Sequence, residues 1–469
     1  MKPLPRVPVE AVFPTLAGLL WMLMGASSGF FGFLLSVLPG TLLLAGGVTT
    51  VLLPGDERSP QLAALGSVLG LVVAIPVALS VGFWGALLLL LLSGVSLVAA
   101  GWTSCRYAPT HVDVPEPPIT PELALKVAGD EINLATLWIG RSSPLVHDPA
   151  RLNEEVEEVR SYFEEQGFLK QPASYHVVPP PLEHPRLLLT RVRDLRYEEL
   201  RFPSDYSPRE EEPGRERWLS FQANRTAYAW VMRHEGKPRP WLICIHGFGM
   251  GIPYLDLQTF RANVLHQQLG LNLVCPVLPL HGPRKAGARS GDHFLGGAFL
   301  NTIHAQAQAM WDVRRLLAWI RAQDAPAVGV YGLSLGGYSA ALLASLEPEL
   351  ACVIAGIPAT DLTALTQRLD SPYKLERFKQ ADFAWEQIEE ILRVVSPLAL
   401  SPKVPLERRY IFGGAVDRLV PPDQVWALWQ HWERPRILWY AGSHVSIHWE
   451  PKVRALVREA LRDSALVPA

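Results

Sequence analysis

The chain has 469 residues, with 43 Lys and Arg against 45 Asp and Glu and a formal charge of −2. That length exceeds one ordinary domain, and the near balance of charge leaves no basic excess for nucleic acid and no acidic tail. Hydrophobic residues make up 49% of the chain, more than a soluble enzyme needs, and the excess lies in residues 1–108.

Residues 11–55 carry no charged side chain, and neither do residues 59–105. One helical crossing of a bilayer needs about 20 residues, so each block is long enough for a hairpin of two spans. The first hairpin is expected to turn near Gly25-Ala26-Ser27-Ser28-Gly29 and the second between Pro76 and Gly82, with residues 54–60 as the polar connector. Pro14, Pro39 and Pro76 are compatible with this, because neighbouring helices re-satisfy the backbone within a bilayer. A cleaved leader does not fit a first apolar stretch of this length followed by a second. Residues 1–108 are therefore expected to form a transmembrane module of four helices, multi-pass in the cell membrane. An even number of spans puts both ends on one side, and Lys2, Arg6 and Arg106 predict that this side is cytoplasmic. The blocks hold no ionisable residue, which argues for an anchor and against a transport path.

Residues 109–186 read as a proline-rich linker and a helical segment, with helices over 119–137 and 151–166. The second helix carries Glu154, Glu155, Glu157, Glu158, Glu164 and Glu165, a solvated face. Residues 208–217 look like an exposed charged loop. From residue 187 the pattern changes to short strands. Residues 199–202 and 226–232 look antiparallel. Near-continuous apolar runs at 241–245, 271–277, 327–331, 351–355, 409–412 and 436–440, mostly separated by helix-like segments, predict a mainly parallel sheet covered on both faces. Cys244, Cys275 and Cys352 lie inside such runs as small hydrophobes. Cys105 follows an apolar segment, and no Cys/His spacing suggests a metal.

The run from Val328 ends in Gly332-Leu333-Ser334-Leu335-Gly336 and passes directly into a helical pattern. A strand, a sharp turn and a helix with serine at the apex present a hydroxyl above a sheet, at a helix N-terminus where developing negative charge is stabilised. A serine hydroxyl needs a base, and the base needs an acid to hold its tautomer. Asp417 follows the strand-like Arg409-Tyr410-Ile411-Phe412 and His444 follows Arg436-Ile437-Leu438-Trp439-Tyr440, giving the order Ser, Asp, His. Asp361 is the rival acid and His448 the rival base, while a cap on the next helix is the alternative role for Asp417. Oxyanion donors are expected at the backbone N–H groups of Leu335 and Phe248, the latter in His246-Gly247-Phe248-Gly249. His246 is expected to support that loop by hydrogen bonding. His281, His293 and His304 read as loop, cap or pocket histidines.

Together these residues resemble the α/β-hydrolase superfamily over residues 187–466. The resemblance rests on His246-Gly247-Phe248-Gly249 after an early strand, Gly332-Leu333-Ser334-Leu335-Gly336, and Asp417 and His444 after the last two strands. It implies an α/β-hydrolase fold in residues 187–469: a mostly parallel eight-stranded sheet with helices on both faces and a cap after the sixth strand, about residues 361–400, carrying Tyr373, Phe378, Phe383 and Trp385. The expected activity is that of an esterase- or lipase-like serine hydrolase on a carboxylic ester or thioester. The membrane module brings lipid esters into range, and no metal or organic cofactor is required. Peptidase or acyltransferase chemistry uses the same groups. A catalytically silent interaction module on a membrane scaffold is the alternative outside enzymes. The sequence carries no signal for an oligomeric state.

Overall fold

In the computed structural model, which describes residues 8–140, 149–295, 299–370 and 372–468, the first uncharged block forms helices α1 (Val9–Ser27) and α2 (Gly29–Leu52). The second forms α3 (Arg58–Tyr107), a run of 50 residues interrupted at Gly82, where φ is 76° and ψ is 166°. Glycine adopts that backbone at little cost, and space is not the reason, because a Cβ there would meet nothing within 4 Å. α1, α2 and α3 are each long and apolar enough to cross a membrane. Lys2 and Arg6, which enter the sidedness argument, lie outside the described residues.

Small residues let these helices approach closely. A Cβ on Gly46 would stand 2.6 Å from the Ala63 nitrogen. Trp21 is fully buried with Leu43, Val77 and Leu89, and its indole N–H donates to Ser93 Oγ at 3.0 Å. Outward positions are apolar, with Leu79 88%, Phe30 82% and Trp84 78% exposed. Charges gather at the helix ends, where Arg106 pairs with Glu10 at 2.7 Å and Arg58 with Asp56 at 2.6 Å.

Two compact units make up the chain. The first comprises Met1–Pro144, Gly414–Pro422 and Trp439–Glu450, and the second comprises Leu145–Gly413, Asp423–Leu438 and Pro451–Ala469. Helix α4 (Pro121–Gly140) belongs to the first. It packs against α3 so tightly that a Cβ on Gly101 would lie 1.8 Å from the Ala124 carbonyl oxygen.

Among the described residues the sheet has nine strands, not the eight expected. They are β1 (Arg186–Val192), β2 (Leu195–Pro203), β3 (Thr226–Met232), β4 (Trp241–Ile245), β5 (Asn272–Pro276), β6 (Val328–Leu333), β7 (Val353–Gly356), β8 (Arg409–Gly414) and β9 (Arg436–Tyr440). Their order is β1-β2-β3-β5-β4-β6-β7-β8-β9. The first three pair antiparallel, β3 pairs antiparallel with β5, and β5, β4, β6, β7 and β8 are parallel. This is the expected mostly parallel sheet with one strand added at its edge. The added strand is β1. It turns into β2 through Arg193, whose φ is 54°, and it is half-exposed, with Leu189 73% accessible. Its run Leu187-Leu188-Leu189 has no alternation, so nothing in the pattern marks it as an edge. The parallel strands β4 to β8 are buried throughout, as apolar runs covered on both faces must be.

Between β7 and β8 the described residues form helices Leu362–Leu369, Pro372–Gln380 and Trp385–Leu392. Phe378, Phe383 and Trp385 pack on one another, with ring centroids 4.5 Å and 5.0 Å apart along that series. The side chain of Tyr373 lies outside the described residues. Residues 208–217 are not a simple exposed loop. Helix Arg215–Ser220 begins there, and Glu212 is 3% exposed because its carboxylate accepts the Tyr175 hydroxyl.

Candidate active site

The chain passes β4, crosses to β5 on one side and returns to β6 on the other. Open α/β sheets place ligands outside the carboxyl ends of strands at such a reversal. The residue that follows β6 is Ser334, at φ 58° and ψ −116°. A non-glycine residue in that region costs of order 1–3 kcal/mol and persists only where its surroundings enforce it. Here the enforcement is steric and hydrogen-bonded. A Cβ on Gly332 would lie 1.9 Å from the Gly336 oxygen, and one on Gly336 would lie 1.9 Å from the Ile245 oxygen. The Ser334 N–H donates to the Gly356 carbonyl at 2.9 Å, tying the turn to the end of β7. Residues 328–333 and 335–344 are buried, but Ser334 is not, so the turn lifts its hydroxyl out of the packed interior.

Leu335 opens the helix Leu335–Ala344, so its amide has no acceptor one turn back. The loop after β4 lies against the same turn: a Cβ on Gly247 would stand 3.5 Å from Ser334 Cβ. Gly249 has φ 79°. Phe248 is half-buried, and its ring meets that of His281 edge-on at 5.6 Å. His246 has no nitrogen to spare. Its Nε2 accepts the Leu278 N–H at 3.1 Å, which leaves Nδ1 to donate to the Gly247 carbonyl at 2.8 Å. That fixes the tautomer and makes His246 a brace for its loop. Asp256, absent from the sequence reading, anchors the far side of the loop by accepting the Gly251 N–H at 3.1 Å and the Trp230 indole N–H at 2.8 Å.

Asp417 and His444 lie in the first unit, just beyond β8 and β9. Asp417 Oδ2 and His444 Nδ1 are 2.7 Å apart. Asp417 Oδ1 accepts the N–H groups of Leu419 at 3.0 Å and Val420 at 2.8 Å. One carboxylate oxygen therefore fixes its own loop while the other faces the imidazole. With Nδ1 donating to the carboxylate, Nε2 carries the lone pair. Burial works against the imidazolium, but the charge and hydrogen bond of Asp417, with the charge of Asp130, outweigh it and hold the His444 pKa above its ordinary 6.5. Asp361 is committed elsewhere, capping helix Leu362–Leu369 by accepting the Ala364 N–H at 2.9 Å. His448 is exposed. His281 and His304 are buried and pushed down to about 3, by burial first, which keeps both rings neutral.

A second acid on α4 joins this network. Asp130, fully buried, accepts the backbone N–H groups of Arg418, His444 and Val445 at 2.9, 3.0 and 3.1 Å. Its neighbour Glu131 accepts Arg418 Nε at 2.9 Å. The sequence held a usable signal. Leu123, Val127, Asp130 and Leu134 share one helical stripe, so an acid stands where the pattern asks for an apolar side chain. Among the described residues no group of three His, Cys, Asp or Glu side chains could hold a metal ion.

No family model matches the chain. The uncharacterized proteins MT2702 and Rv2627c of Mycobacterium tuberculosis are each 42% identical to it over 376 residues, 79% of this chain and 89% of the relative. The chain belongs to the family of these mycobacterial proteins. Solved structures similar to this family member include acetyl xylan esterase 1 from Thermoanaerobacterium, at TM-score 0.45 and 15% identity over 66% of this chain and 98% of that one. An acetyl xylan esterase from Paenibacillus gives TM-score 0.44 and 15% identity over 64% and 94%. Likeness at that level carries no activity across.

Proposed function

We propose that the protein is a membrane-anchored serine hydrolase that cleaves a carboxylic ester or thioester through an acyl-enzyme on Ser334. The observation that carries this reading is the strained turn at φ 58° that presents the Ser334 hydroxyl after β6. Such strain is retained where it serves a reacting group. The 2.7 Å contact between Asp417 and His444 supports it by supplying a base in a defined tautomer.

In this mechanism His444 Nε2 takes the Ser334 proton as Oγ attacks the substrate carbonyl carbon. The backbone N–H groups of Leu335 and Phe248 stabilise the resulting oxyanion. The bond to the alkoxide or thiolate breaks, and His444 delivers its proton to that leaving group. Water, activated by the same imidazole, attacks the acyl-enzyme and releases the carboxylic acid. Asp417 stays ionised and orients His444. His246, with Gly247 and Gly249, shapes the loop that offers Phe248, and Gly332 and Gly336 permit the turn. The chain's own groups suffice for every step.

The anchor favours esters held at a bilayer, because it concentrates the enzyme where they reside. The positive-inside tendency favours a cytoplasmic hydrolase domain, since Arg58 and Arg106 flank the spans and residues 59–105 between them carry no charge.

A fluorophosphonate probe tests the assignment. The wild-type protein in detergent should be labelled covalently, and Ser334→Ala should lose the label together with hydrolysis of short p-nitrophenyl esters. Equal labelling of both proteins would refute the role of Ser334.

A further inference from the structure

A carboxylate with no solvent exposure is costly unless hydrogen bonds compensate it. Asp130 stands on the buried stripe of α4, and among the described residues it accepts its hydrogen bonds from backbone amides of two other segments. Oδ2 accepts the N–H groups of Arg418 at 2.9 Å and His444 at 3.0 Å, and Oδ1 accepts that of Val445 at 3.1 Å. Arg418 adjoins the candidate acid Asp417, and the other two amides belong to His444 itself and the residue after it. One side chain thus bridges the acid loop and the base loop. We propose that Asp130 is a positioning residue that splints these loops, fixing the Asp417–His444 contact before substrate arrives. The inference rests on the roles given above to Asp417 and His444.

The surroundings show a built arrangement. Glu131 Oε1 accepts Arg418 Nε at 2.9 Å, fastening the acid loop a second time. The Ser443 hydroxyl donates to the Lys126 carbonyl at 2.8 Å, and Lys126 Nζ meets Glu450 Oε1 at 2.8 Å, fastening the base segment on both sides of His444. Gly129 gives the base loop room, since a Cβ there would lie 2.8 Å from Val445 Cγ2. Through the 1.8 Å constraint at Gly101 and Ala124, α4 is in turn registered to the last apolar segment of α3. The acid–base pair is therefore held by the helix that leaves the membrane anchor.

Removing the carboxylate would leave one buried and two part-buried amides without this acceptor, each at a cost that water entry offsets only by loosening the loops. A shift of about 1 Å in a reacting group can cost on the order of 10²-fold in rate. The charge also acts on His444. The charged and titratable groups that face this imidazole are Asp417 beyond β8 and Asp130 on α4. Those that face Asp130 are Asp417, His444 and, through its backbone N–H, Arg418. Burial first and the Asp417 charge second raise the Asp130 carboxyl to about 7.

The test uses the full-length chain in lipid nanodiscs, comparing wild type with Asp130→Asn, Asp130→Ala and the surface control Glu116→Gln. Peptide-resolved amide hydrogen exchange over residues 417–420 and 443–446 reads the splint directly. The rate of fluorophosphonate labelling, measured against pH and normalised to folded protein by thermal melting, reads its consequence. Both Asp130 variants should exchange faster in both segments and label on the order of 10²-fold more slowly. The midpoint of their labelling profile should fall to lower pH, because a negative neighbour of His444 is gone. Glu116→Gln should match wild type. Unchanged exchange in both segments would overturn the splint. A labelling rate that falls only with the folded fraction, at an unmoved midpoint, would reduce Asp130 to a structural residue. Equal labelling of wild type and Ser334→Ala would instead sink the hydrolase reading, and exchange would still decide whether Asp130 holds the two loops.

Discussion

Asp417 divides its two oxygens between its own loop and His444, and the consequences are measurable at the single residue. In Asp417→Asn the amide can still accept the Leu419 and Val420 N–H groups, but it then presents an NH2 to Nδ1 and selects the wrong imidazole tautomer. Hydrolysis should fall by about 10⁴-fold, the scale seen when the orienting acid of a serine triad is neutralised, with melting temperature little changed. The pH profile has a definite sign. His444 must be neutral to act as base, and its pKa stands above 6.5, so kcat/KM should rise with pH through a midpoint above that value. The same shift adds stability that is fully present below 6.5 and is lost as pH rises through the raised value. Stopped esterase assays and melting curves across pH 5–9 check both trends, which should run in opposite directions. Ser334, Asp417 and His444 were legible as candidates because each ends a short strand-like run, so the whole signal lies within about ten residues of chain. The assignment of Asp361 as a cap was not legible, since an acid after a strand looks the same in either role. Asp130 was harder still, because its partner Arg418 is 288 positions away and only the break in the apolar stripe of α4 betrays it.

At the scale of elements, the turn between β6 and its helix depends on close backbone approach. A methyl on Gly336 would meet the Ile245 carbonyl at 1.9 Å and the His246 carbonyl at 2.7 Å. Both contacts are main chain, so neither strand can yield without distorting the sheet. Gly336→Ala should therefore lower the melting temperature and abolish fluorophosphonate labelling in whatever protein remains folded. Gly94→Ala is the contrasting case. That helical position is open, with nothing within 4 Å of an added Cβ, and the change should be neutral or stabilising by up to about 1 kcal/mol. Paired thermal melts in one detergent read the two effects. The buried parallel strands were readable as apolar runs because both of their faces are covered. β1 was not, because an edge strand with consecutive leucines shows neither alternation nor full burial. Helix Arg215–Ser220 was hidden for a related reason: a segment rich in charge reads as solvated, and the burial of Glu212 depends on Tyr175, far away in sequence.

For the whole molecule, the distribution of charge along the first unit makes a topological prediction. The chain reverses at Ser28, again over residues 53–57, and a third time at Gly82. The Glu10–Arg106 ion pair at 2.7 Å brings the start of α1 and the end of α3 together, and Glu57 reaches Arg418 at 3.4 Å. Among the described residues, every charged side chain bordering these helices thus belongs to one end of the bundle. The reversals at Ser28 and Gly82 are flanked instead by exposed Phe30, Phe31, Phe83 and Trp84, and tryptophan is enriched at membrane interfaces. At about 1.5 Å per residue, the 19 residues of α1 match a hydrocarbon layer of about 30 Å. A protein anchored this way should resist alkaline carbonate extraction. Single cysteines placed at Ser28 and Asp56, in a chain whose Cys105 is replaced by alanine, should react with a membrane-impermeant maleimide from opposite faces. Position 56 should label in inside-out vesicles and position 28 in right-side-out cells, each blocked from the other face. Labelling of both positions from one side would mean that α1 and α2 do not span, and the anchor would then have to be an interfacial one.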